Sequence, residues 1–322
     1  MLIDLKEVVQ LLKENDNILL LSHSHPDGDT LGSATALAYA LKQMGKRVAV
    51  KCGDTIPSIF DFMFADYADE DFEPDYIVAV DIADTKLLGR EFEGIYSEKI
   101  DLCIDHHGSN VLYAPKIWLE AESASTAEMI YQLLCEFGTE FNPLIASCLF
   151  TGVATDTGCF RFSNTSVRTF EIAAKLAAYG ADTYNIIQVF FETKTKTFAA
   201  LEKLAIEGMR FYCDDRCAFI CVTQDMYAKS GSDESEVDRL ANIPRQIEGV
   251  LVGVTMRELK DGNFKASVRT HGDIDASAIC GRLGGGGHMG AAGCTLTGSK
   301  QQAINALVKE IQAEIDAFST EQ

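Results

Sequence analysis

Acidic and histidine side chains follow four apolar segments of the chain, at the point where each segment ends. They are His23, Asp27 and Asp29 after residues 18–22, Asp81 after 76–80, Asp105, His106 and His107 after 102–104, and Asp156 after 145–155. Carboxylate oxygens and imidazole nitrogens suit Mn²⁺, Mg²⁺ or Fe²⁺ better than a zinc site built from thiolates. The pattern predicts a metal site if these segments meet in space.

So many carboxylates cannot lie close together unless a cation compensates their charges. They are numerous enough for two metal ions ~3.5–4 Å apart, an arrangement that activates a hydroxide and stabilises phosphate oxygens during hydrolysis. Taken singly, Asp81 is more typical of a helix cap or a turn, and the same holds for Asp27-Gly28-Asp29. The prediction of phosphoester hydrolysis therefore depends on all four groups together.

A second motif combines a glycine run with polar residues upstream of it. Four consecutive glycines permit a left-handed backbone and close approach to a ligand, so their N–H groups could bind an anion. An arginine in a strand-like tract suits bidentate phosphate recognition. A flexible loop and a surface salt bridge are the alternatives for these two features when each is taken alone. The candidate anion-binding residues are Ser267, Arg269, Gly285, Gly286, Gly287 and His288.

The first 180 residues alternate helix-like and strand-like segments. The spacing of apolar residues predicts helices at 5–13 and 31–44, and strands at 18–22, 47–52, 76–80 and 102–104. Short apolar strands between helices are typical of a parallel sheet that is covered on both faces. Ligands bind at the carboxyl ends of such strands, so the first three acidic and histidine groups should converge on one edge of the sheet.

The pattern changes after a helical stretch at 181–209, which we expect to be a connector. Residues 211–223 and 249–258 are rich in β-formers, residues 264–270 alternate, and residues 301–318 have the spacing of an amphipathic helix. We therefore expect a second, smaller α/β domain of about 110 residues.

Composition excludes several classes of function. The chain has 322 residues, enough for about two domains of roughly 150 residues each. It carries 28 Lys and Arg against 48 Asp and Glu, which gives a net charge of −20. Such a chain lacks the broad basic surface that binds long duplex nucleic acid or an acidic membrane.

The N-terminus and the cysteines bear on where the protein works. Residues 1–16 mix charged and apolar positions, unlike a secretory signal, and no apolar run approaches the ~20 residues that span a bilayer. The ten cysteines form no CxxC pair and lie mostly in apolar runs, as reduced core residues do. We expect a cytoplasmic protein without a membrane span.

In their order along the chain, these motifs resemble those of the DHH phosphoesterase family with a DHHA1 C-terminal domain. The segments concerned are His23-x-x-Pro26-Asp27-Gly28-Asp29, Val80-Asp81, Asp105-His106-His107-x-Ser109-Asn110, Thr155-Asp156-Thr157-Gly158 and the GGGGH run that ends at His288. The resemblance implies an α/β fold, with a Rossmann-like DHH domain on a parallel sheet, a smaller α/β DHHA1 domain, and an active-site cleft between them. The corresponding ranges are 1–185 for the metal-binding catalytic domain, 186–208 for a helical linker and 209–322 for the substrate-binding domain.

Length and motif spacing most resemble the branch of this family that contains the oligoribonucleases called nanoRNases. The resemblance implies a hydrolase that cleaves short oligoribonucleotides to mononucleotides, removes the 3′-phosphate of pAp, or does both, where pAp is the 3′,5′-bisphosphate of adenosine. It implies two Mn²⁺ ions, with Mg²⁺ or another divalent ion as the alternative. It is also compatible with a homodimer.

The resemblance implies a role for each matching residue. His23 and Asp27 would bind one ion, and Asp29 and His106 would bind the other. Asp81 would bridge the ions, and Asp156 would complete the site as a ligand. His107 would contact or protonate the scissile phosphate, while Asp105 would orient a ligand histidine. The candidate anion-binding residues would hold a nucleotide phosphate from the other side of the cleft. His25 lies at a position that varies in the family and receives no role.

Two other functions stay open at this point. One is a soluble phosphodiesterase of cyclic or linear dinucleotides such as c-di-AMP and pApA. The other is a non-catalytic nucleotide-binding protein that has kept the scaffold. The acidic composition favours substrates of a few nucleotides over polymers, because phosphate recognition would be confined to Arg269, His288 and two cations.

Overall fold

The structure is a computed structural model that describes residues 1–65, 67 and 72–320, without the side chains of residues 319 and 320. The chain forms two compact units, Met1–Thr193 and Lys194–Gln322. Both units combine helices with a β-sheet, so the predicted α/β fold is confirmed.

The first unit is built on a five-stranded sheet in which all neighbouring strands are parallel. Its strands are β1 (Ile18–Ser22), β2 (Val48–Cys52), β3 (Tyr76–Val80), β4 (Leu102–Asp105) and β5 (Lys116–Leu119), in the spatial order β2-β1-β3-β4-β5. Alternate residues of β1 enter two different cores: Leu20 packs in one, and Leu19 and Leu21 pack in the other. Burial on both faces explains why the strands are apolar throughout rather than alternating.

Helices lie between the strands and after them. In the first unit they are α1 (Leu5–Glu14), α2 (Gly28–Gln43), a 3₁₀ helix (Ser58–Phe64), a short 3₁₀ turn (Thr85–Leu88), α3 (Arg90–Tyr96), α4 (Thr126–Phe137), α5 (Pro143–Asp156), α6 (Val167–Ala178), α7 (Thr183–Ile187) and a π turn (Gln188–Glu192). Helix α2 is the first helix after β1. The apolar run at 145–155 therefore forms a helix, and Asp156 is its last residue.

The strand order explains where a ligand can bind. Strand β2 pairs with β1 on one side, and the next strand, β3, pairs with β1 on the other side. This reversal of direction leaves a crevice at the carboxyl ends of β1 and β3, which is the usual ligand site of an open parallel sheet. The motifs that begin at His23 and Asp81 both start at this crevice.

Helices α2 and α5 lie very close to each other because glycines occupy their contact. A Cβ atom on Gly32 of α2 would collide with the carbonyl oxygen of Cys148 in α5. A Cβ atom on Gly152 of α5 would lie 2.6 Å from the Cβ of Ala127 and 2.8 Å from Oδ1 of Asp29. The absence of side chains at these two positions lets α2, α4 and α5 pack around the Asp29 carboxylate.

The second unit holds a six-stranded mixed sheet. Its strands are β6 (Arg210–Tyr212), β7 (Cys217–Val222), β8 (Val252–Glu258), β9 (Phe264–Thr270), β10 (Gly286–His288) and β11 (Ala291–Leu296), in the spatial order β10-β11-β9-β8-β7-β6. Strands β7 and β8 are parallel, and the other neighbours are antiparallel. The helices are α8 (Lys196–Glu207), α9 (Gln224–Ser230), two 3₁₀ helices (Glu234–Leu240 and Pro244–Gln246), α10 (Ala276–Gly281) and α11 (Lys300–Thr320).

The stretch predicted to be a helical connector is not one continuous helix. It contains α7, the π turn and α8, and the division between the two units falls between Thr193 and Lys194. The ranges 1–185, 186–208 and 209–322 as functional domains remain a prediction. Within the part of the chain that the structure describes, none of the helices combines the length and apolar character needed to cross a membrane.

The contact between α2 and α5 leads to a prediction on stability. Gly32→Ala should lower the free energy of unfolding by about 1–3 kcal/mol, because the added methyl group has no space against the backbone of α5. Urea denaturation measures the change. Gly94→Ala in α3 is the matched control, since its Cβ would meet no atom within 4 Å. Equal stability of the two variants would contradict the close helix contact.

Candidate metal centre

The loop from β1 to α2 places three of the predicted side chains. Asp27 caps the N-terminus of α2, and its Oδ1 accepts hydrogen bonds from the backbone N–H groups of Asp29 at 2.9 Å and Thr30 at 3.1 Å. Aspartate is favoured at this position because it satisfies N–H groups that have no partner within the helix. Since the cap uses Oδ1 in this way, Oδ2 of Asp27 is left for another partner.

Asp29 lies in the first turn of α2 and is fully buried. Its carboxylate accepts the backbone N–H groups of Thr126 at 2.7 Å and Ala127 at 2.8 Å, together with the hydroxyl of Ser33 at 3.2 Å. The first two donors are the opening residues of α4, where the helix dipole favours a negative charge. Asp29 is thereby fixed between α2 and α4.

Asp81 directly follows β3 and is 2% exposed. Its backbone is left-handed, with a φ of 64°, and its N–H donates to the carbonyl of Ile104 at 2.8 Å. A residue other than glycine in this conformation costs about 1–2 kcal/mol, and such strain is concentrated at functional sites. The turn directs the side chain to Thr126, whose hydroxyl donates to Oδ1 of Asp81 at 2.9 Å.

Two histidines present Nε2 to these carboxylates because backbone carbonyls hold their other ring nitrogen. Nδ1 of His23 lies 2.8 Å from the carbonyl oxygen of Ser24, and Nδ1 of His106 lies 3.1 Å from that of Ser123. A carbonyl accepts a hydrogen bond, so Nδ1 carries a proton, and Nε2 offers a lone pair once the ring is neutral. This is the orientation typical of histidines that bind metals.

The six side chains predicted as metal ligands come together in overlapping groups. His23, Asp27 and Asp81 form one group, and Asp29, His106 and Asp156 form another. Nε2 of His23 lies 3.7 Å from both Asp27 and Asp81. Nε2 of His106 lies 3.1 Å from Asp156, 3.7 Å from Asp81 and 3.9 Å from Asp29. Oδ2 of Asp81 faces His23 while its Oδ1 faces His106, so Asp81 joins the two groups.

The electrostatics of the metal-free centre favour protons on these groups. Burial, followed by the charges of Asp27 and Asp156, raises the pKa of Asp81 to about 8. Burial, Asp81 and Asp156 likewise raise the pKa of Asp29 well above its usual range. Burial alone would lower the pKa of both histidines, but the carboxylates outweigh it and raise the pKa of His23 to about 9 and that of His106 to about 10.

These residues fit one or more divalent cations. The buried Nε2 atom of His106 has no hydrogen-bond partner among the described residues, although its ring is fixed and surrounded by carboxylates. An unpaired buried nitrogen is costly, and a bound cation would satisfy it. The donor atoms are carboxylate oxygens and imidazole nitrogens without a thiolate, which suits Mn²⁺ or Mg²⁺.

His107 forms a separate pair with the buried Asp105. Nδ1 of His107 lies 2.7 Å from Oδ1 of Asp105, and Asn110 donates to Oδ2 of Asp105 at 2.6 Å. Nδ1 of His107 also lies 3.6 Å from Oδ1 of Asp81, which places the ring beside the metal centre. The carbonyl of Ser123 holds His106, whereas Asp105 holds His107. His107 also lies in a group with Asp81 and His106 that could hold a metal ion, so the role of Asp105 in orienting a ligand histidine stays a prediction.

The side chain of His25 lies outside the two groups of candidate metal ligands. Its side chain is 93% exposed, and Nδ1 lies 3.1 Å from Oδ2 of Asp54. The structure gives no reason to assign it a role in the centre.

Four of the candidate anion-binding residues share one face of the sheet in the second unit: Ser267, Arg269, Gly286 and His288. His288 pairs with Ala291, which pairs with Arg269, and Gly286 pairs with Gly293, which pairs with Ser267. Residues paired directly across antiparallel strands point to the same side, so the small residues of β11 separate the glycine run from β9. Gly287 has a φ of 149°, which favours glycine. Gly285 precedes β10, and a Cβ there would lie 2.5 Å from that of Cys294.

The sequence did not predict the residues that form hydrogen bonds to the candidate ligands and orient them. Thr126 contacts Asp29 through its N–H and Asp81 through its hydroxyl, and Ser123 holds His106. Ser125 caps α4 by accepting the N–H of Glu128, and a Ser-Thr pair before an apolar helical run is a recognisable start signal. That signal predicts the beginning of a helix, but it does not reveal that the helix start faces Asp29.

Comparison with known proteins gives matches along most of the chain. Residues 17–153 match the N-terminal domain of the DHH family, and residues 218–317 match the DHHA1 domain. The bifunctional oligoribonuclease and PAP phosphatase NrnA of Thermus thermophilus is 31% identical over 316 residues, which cover 96% of this chain and 93% of the relative. The cyclic-di-AMP phosphodiesterase GdpP of Geobacillus thermodenitrificans is 27% identical over 320 residues, which cover 89% of this chain and 46% of the relative.

A solved structure has the same fold. The crystal structure of an exopolyphosphatase-related protein from Bacteroides fragilis matches with a TM-score of 0.87 and 24% sequence identity, over 96% of this chain and 95% of that one.

Protonation of the metal-free centre leads to a prediction on pH dependence. At pH 7 Asp81, His23 and His106 carry protons because their pKa values are about 8, 9 and 10. A cation binds the deprotonated forms, so Mn²⁺ binding should release protons and should strengthen as the pH rises from 6 towards 8. Titration calorimetry in two buffers of different ionisation enthalpy measures the release. Equal heats in both buffers would contradict the prediction.

Thr126 supplies a second prediction. Thr126→Val removes the hydroxyl that orients Asp81 but keeps the N–H that binds Asp29. We expect about 10-fold weaker Mn²⁺ binding, since partners of metal ligands typically contribute 10–100-fold to affinity. Thr35→Val is the control, because the hydroxyl of this buried threonine donates to the carbonyl of Leu31 within α2. If both variants weakened Mn²⁺ binding equally, the orienting role of Thr126 would be wrong.

Proposed function

The chain belongs to the DHH family and carries a DHHA1 domain, and from this membership we propose that it is a phosphoesterase acting on short RNA. It hydrolyses short oligoribonucleotides to mononucleotides, removes the 3′-phosphate of pAp to give AMP, or does both. The NrnA relative, whose name combines these two activities, is similar over nearly the whole chain. The observation that carries the proposal is the set of carboxylates and imidazoles gathered at the carboxyl edge of the parallel sheet.

We propose that this set holds two divalent cations, Mn²⁺ by preference and Mg²⁺ as the alternative. His23 and Asp27 would hold one ion, Asp29, His106 and Asp156 the other, and Asp81 would contact both. The two oxygens of Asp81 that face different histidines support the bridging role. When bound, the cations would supply a hydroxide at neutral pH and neutralise charge on the phosphate.

His107 is proposed as the group that contacts or protonates the scissile phosphate. Its Nδ1–H is held by Asp105, so Nε2 is the atom that can donate to, or accept from, a phosphate oxygen. Asn110 fixes Asp105 in turn, so the acceptor of the Nδ1–H group of His107 is itself held in place. The His107 side chain is 35% exposed, so a substrate can reach it.

Substrate phosphate is proposed to bind in the second unit. Arg269 and Ser267 of β9 and His288 of β10 would offer donors on one sheet face, and the N–H groups of Gly286 and Gly287 would be further donors. The N–H of Gly285 donates to the carbonyl of Cys280 at 2.8 Å, so Gly285 adds no free donor. The rest of the chain is strongly acidic, with 48 Asp and Glu against 28 Lys and Arg. Local phosphate recognition on an acidic protein favours short substrates over long polyanions.

A cytoplasmic location is part of this proposal, in keeping with ten cysteines that are all free. A homodimer stays a prediction from the family resemblance.

A second candidate function is the hydrolysis of cyclic or linear dinucleotides. The similarity to the cyclic-di-AMP phosphodiesterase favours it, although this chain spans only about half the length of that relative. A non-catalytic nucleotide-binding role is less consistent with a complete set of six side chains that suit metal binding.

The proposed function is tested with a panel of pAp, pApA, a five-residue RNA and cyclic di-AMP, each with and without Mn²⁺. We expect Mn²⁺-dependent release of AMP from pAp or of mononucleotides from the short RNA. Asp81→Ala and Asp156→Ala should each lose at least about 100-fold in rate, because even partners of metal ligands contribute up to that much.

Asp61→Ala is the matched control for these variants, since Asp61 is an exposed acidic residue of the same unit. A wild-type rate in Asp81→Ala or Asp156→Ala would contradict the assignment of these residues as metal ligands. Preferential hydrolysis of cyclic di-AMP would replace the main proposal by the second candidate. Activity on a long single strand equal to that on a dinucleotide would overturn the preference for short substrates alone.

A further inference from the structure

The loop that precedes α4 holds His106, and an arginine from α6 holds this loop. Residues 120–125 connect β5 to α4, and the carbonyl of Ser123 accepts the Nδ1–H group of His106. Arg168, in the first turn of α6, donates from Nη1 and Nη2 to Oε2 of Glu120 at 3.2 Å and 3.1 Å. Nη2 of Arg168 also donates to the hydroxyl of Ser123 at 3.3 Å. One guanidinium group therefore fixes two points of the loop.

A buried carboxylate of α4 contacts the same loop. Glu128 is 1% exposed, and its Oε2 accepts the N–H group of Ala124 at 3.3 Å and the hydroxyl of Ser123 at 3.4 Å. The same oxygen lies 3.6 Å from Nε of Arg168. A buried carboxylate is destabilising unless hydrogen bonds and an opposite charge compensate it. Arg168 supplies that charge, so Arg168 and Glu128 hold Ser123 between them.

The loop before α6 also contacts Asp156, the candidate ligand next to His106. The side-chain amide of Asn164 donates to the carbonyl of Ala124 at 3.0 Å and to that of Asp156 at 3.2 Å. Oδ2 of Asp156 lies 3.1 Å from Nε2 of His106. Helix α6 and the loop before it thus hold the backbone next to two candidate ligands of one ion.

The two groups of candidate ligands are held by different parts of the chain. We name each group after its histidine: the His106 group consists of Asp29, His106 and Asp156, and the His23 group consists of His23, Asp27 and Asp81. Nδ1 of His23 faces the carbonyl of Ser24, and the N–H and the hydroxyl of Ser24 both donate to the carbonyl of Leu87. These contacts involve the loops after β1 and β3 and not α6. A change in α6 should therefore affect one histidine and not the other.

We propose that Arg168 and Glu128 are positioning residues for the cation that the His106 group would bind. This inference rests on the proposed function and adds to it two residues that act through Ser123. When Ser123 is fixed, its carbonyl stays on Nδ1 of His106 and keeps Nε2 directed at the ion. Loss of either positioning residue lets the His106 ring turn, so it weakens binding of this ion and leaves the ion of the His23 group unchanged.

The test measures Mn²⁺ binding to the metal-free protein by titration calorimetry and by electron paramagnetic resonance of the unbound ion. Wild-type protein should bind two ions. Arg168→Gln should bind one of them about 10-fold more weakly, since partners of metal ligands typically contribute 10–100-fold to affinity. Arg168→Lys keeps the charge beside Glu128 without the planar fork and should fall between the two proteins.

A second comparison shows which ion is affected. His106→Ala and His23→Ala should each leave one ion to be measured. Arg168→Gln should cause no further loss of Mn²⁺ affinity in the His106→Ala background, because the residue on which it acts is gone. In the His23→Ala background it should keep its 10-fold effect. An equal effect in both backgrounds would overturn the inference, since a general loosening of the fold does not distinguish the two histidines.

Arg282→Gln is the matched control, because Arg282 of the second unit also pairs with two glutamates, Glu310 at 2.8 Å and Glu314 at 2.9 Å. It should change neither Mn²⁺ affinity. Urea denaturation of the metal-free proteins shows which variants are folded. If Arg168→Gln does not unfold cooperatively, Glu128→Gln takes its place in the same comparisons, and the same selective loss is expected.

The failure of this inference can be told apart from the failure of the proposed function. Unchanged Mn²⁺ affinity in Arg168→Gln would overturn the role of Arg168 and leave the metal centre in place. A wild-type protein that binds Mn²⁺ but hydrolyses none of the substrates in the panel would overturn the proposed function, and calorimetry would still decide the role of Arg168. A wild-type protein that binds no Mn²⁺ would overturn both.

Discussion

The start of α4 fixes three candidate ligands at once, and the geometry of the centre depends on it. The N–H groups of Thr126 and Ala127 hold Asp29, the Thr126 hydroxyl holds Asp81, and the carbonyl of Ser123 just before the helix holds His106. The donors have no partner within the helix, because its first N–H groups lack a preceding turn. The same groups that would be unsatisfied at a helix end therefore orient the side chains of three other elements.

This arrangement also explains how buried carboxylates are tolerated. Asp29 and Asp81 are almost completely inaccessible, and an isolated buried carboxylate is strongly destabilising. Hydrogen bonds from α4 and nearby histidines offset part of that cost, and the raised pKa values show that the remainder favours bound protons. A cation that replaced those protons would link the stability of the first unit to metal binding. The close contact of α2 with α5 contributes by holding Asp29 against α4.

In the second unit, the two faces of the sheet carry different kinds of side chain at β9 and β11. Apolar residues alternate with small and polar ones along β9 and β11, so one face of these two strands packs under α10 and α11 while the other carries Ser267 and Arg269. Small residues flank Ser267 and Arg269 on this face: Gly253, Ala291 and Gly293. Nearer β7, the same face packs Ile220 and Val222 against α8 and α9.

The sequence by itself determined the α/β class, the parallel pairing of the strands in the first unit and the identity of the six clustered side chains. It could do so because strand burial leaves a local apolar pattern, and because parallel strands bring their carboxyl ends to a common edge. The motif of Asp105, His106 and His107 was also visible, yet its partners were not: Asp105 holds His107, while a carbonyl holds His106. The ligand roles and the functional domain ranges remain predictions that the fold alone does not test.

Only the tertiary structure decided which groups contact and orient the candidate site residues. Thr126 contacts Asp29 across 97 positions of sequence, and Arg168 contacts Ser123 across 45 positions. These contacts involve ordinary residue types in ordinary local settings, the first turns of two helices, and no local pattern distinguishes them. The contact of Thr126 with Asp29 arises because glycines at 32 and 152 allow backbones to approach closely, and the partner of each glycine is set by packing in three dimensions.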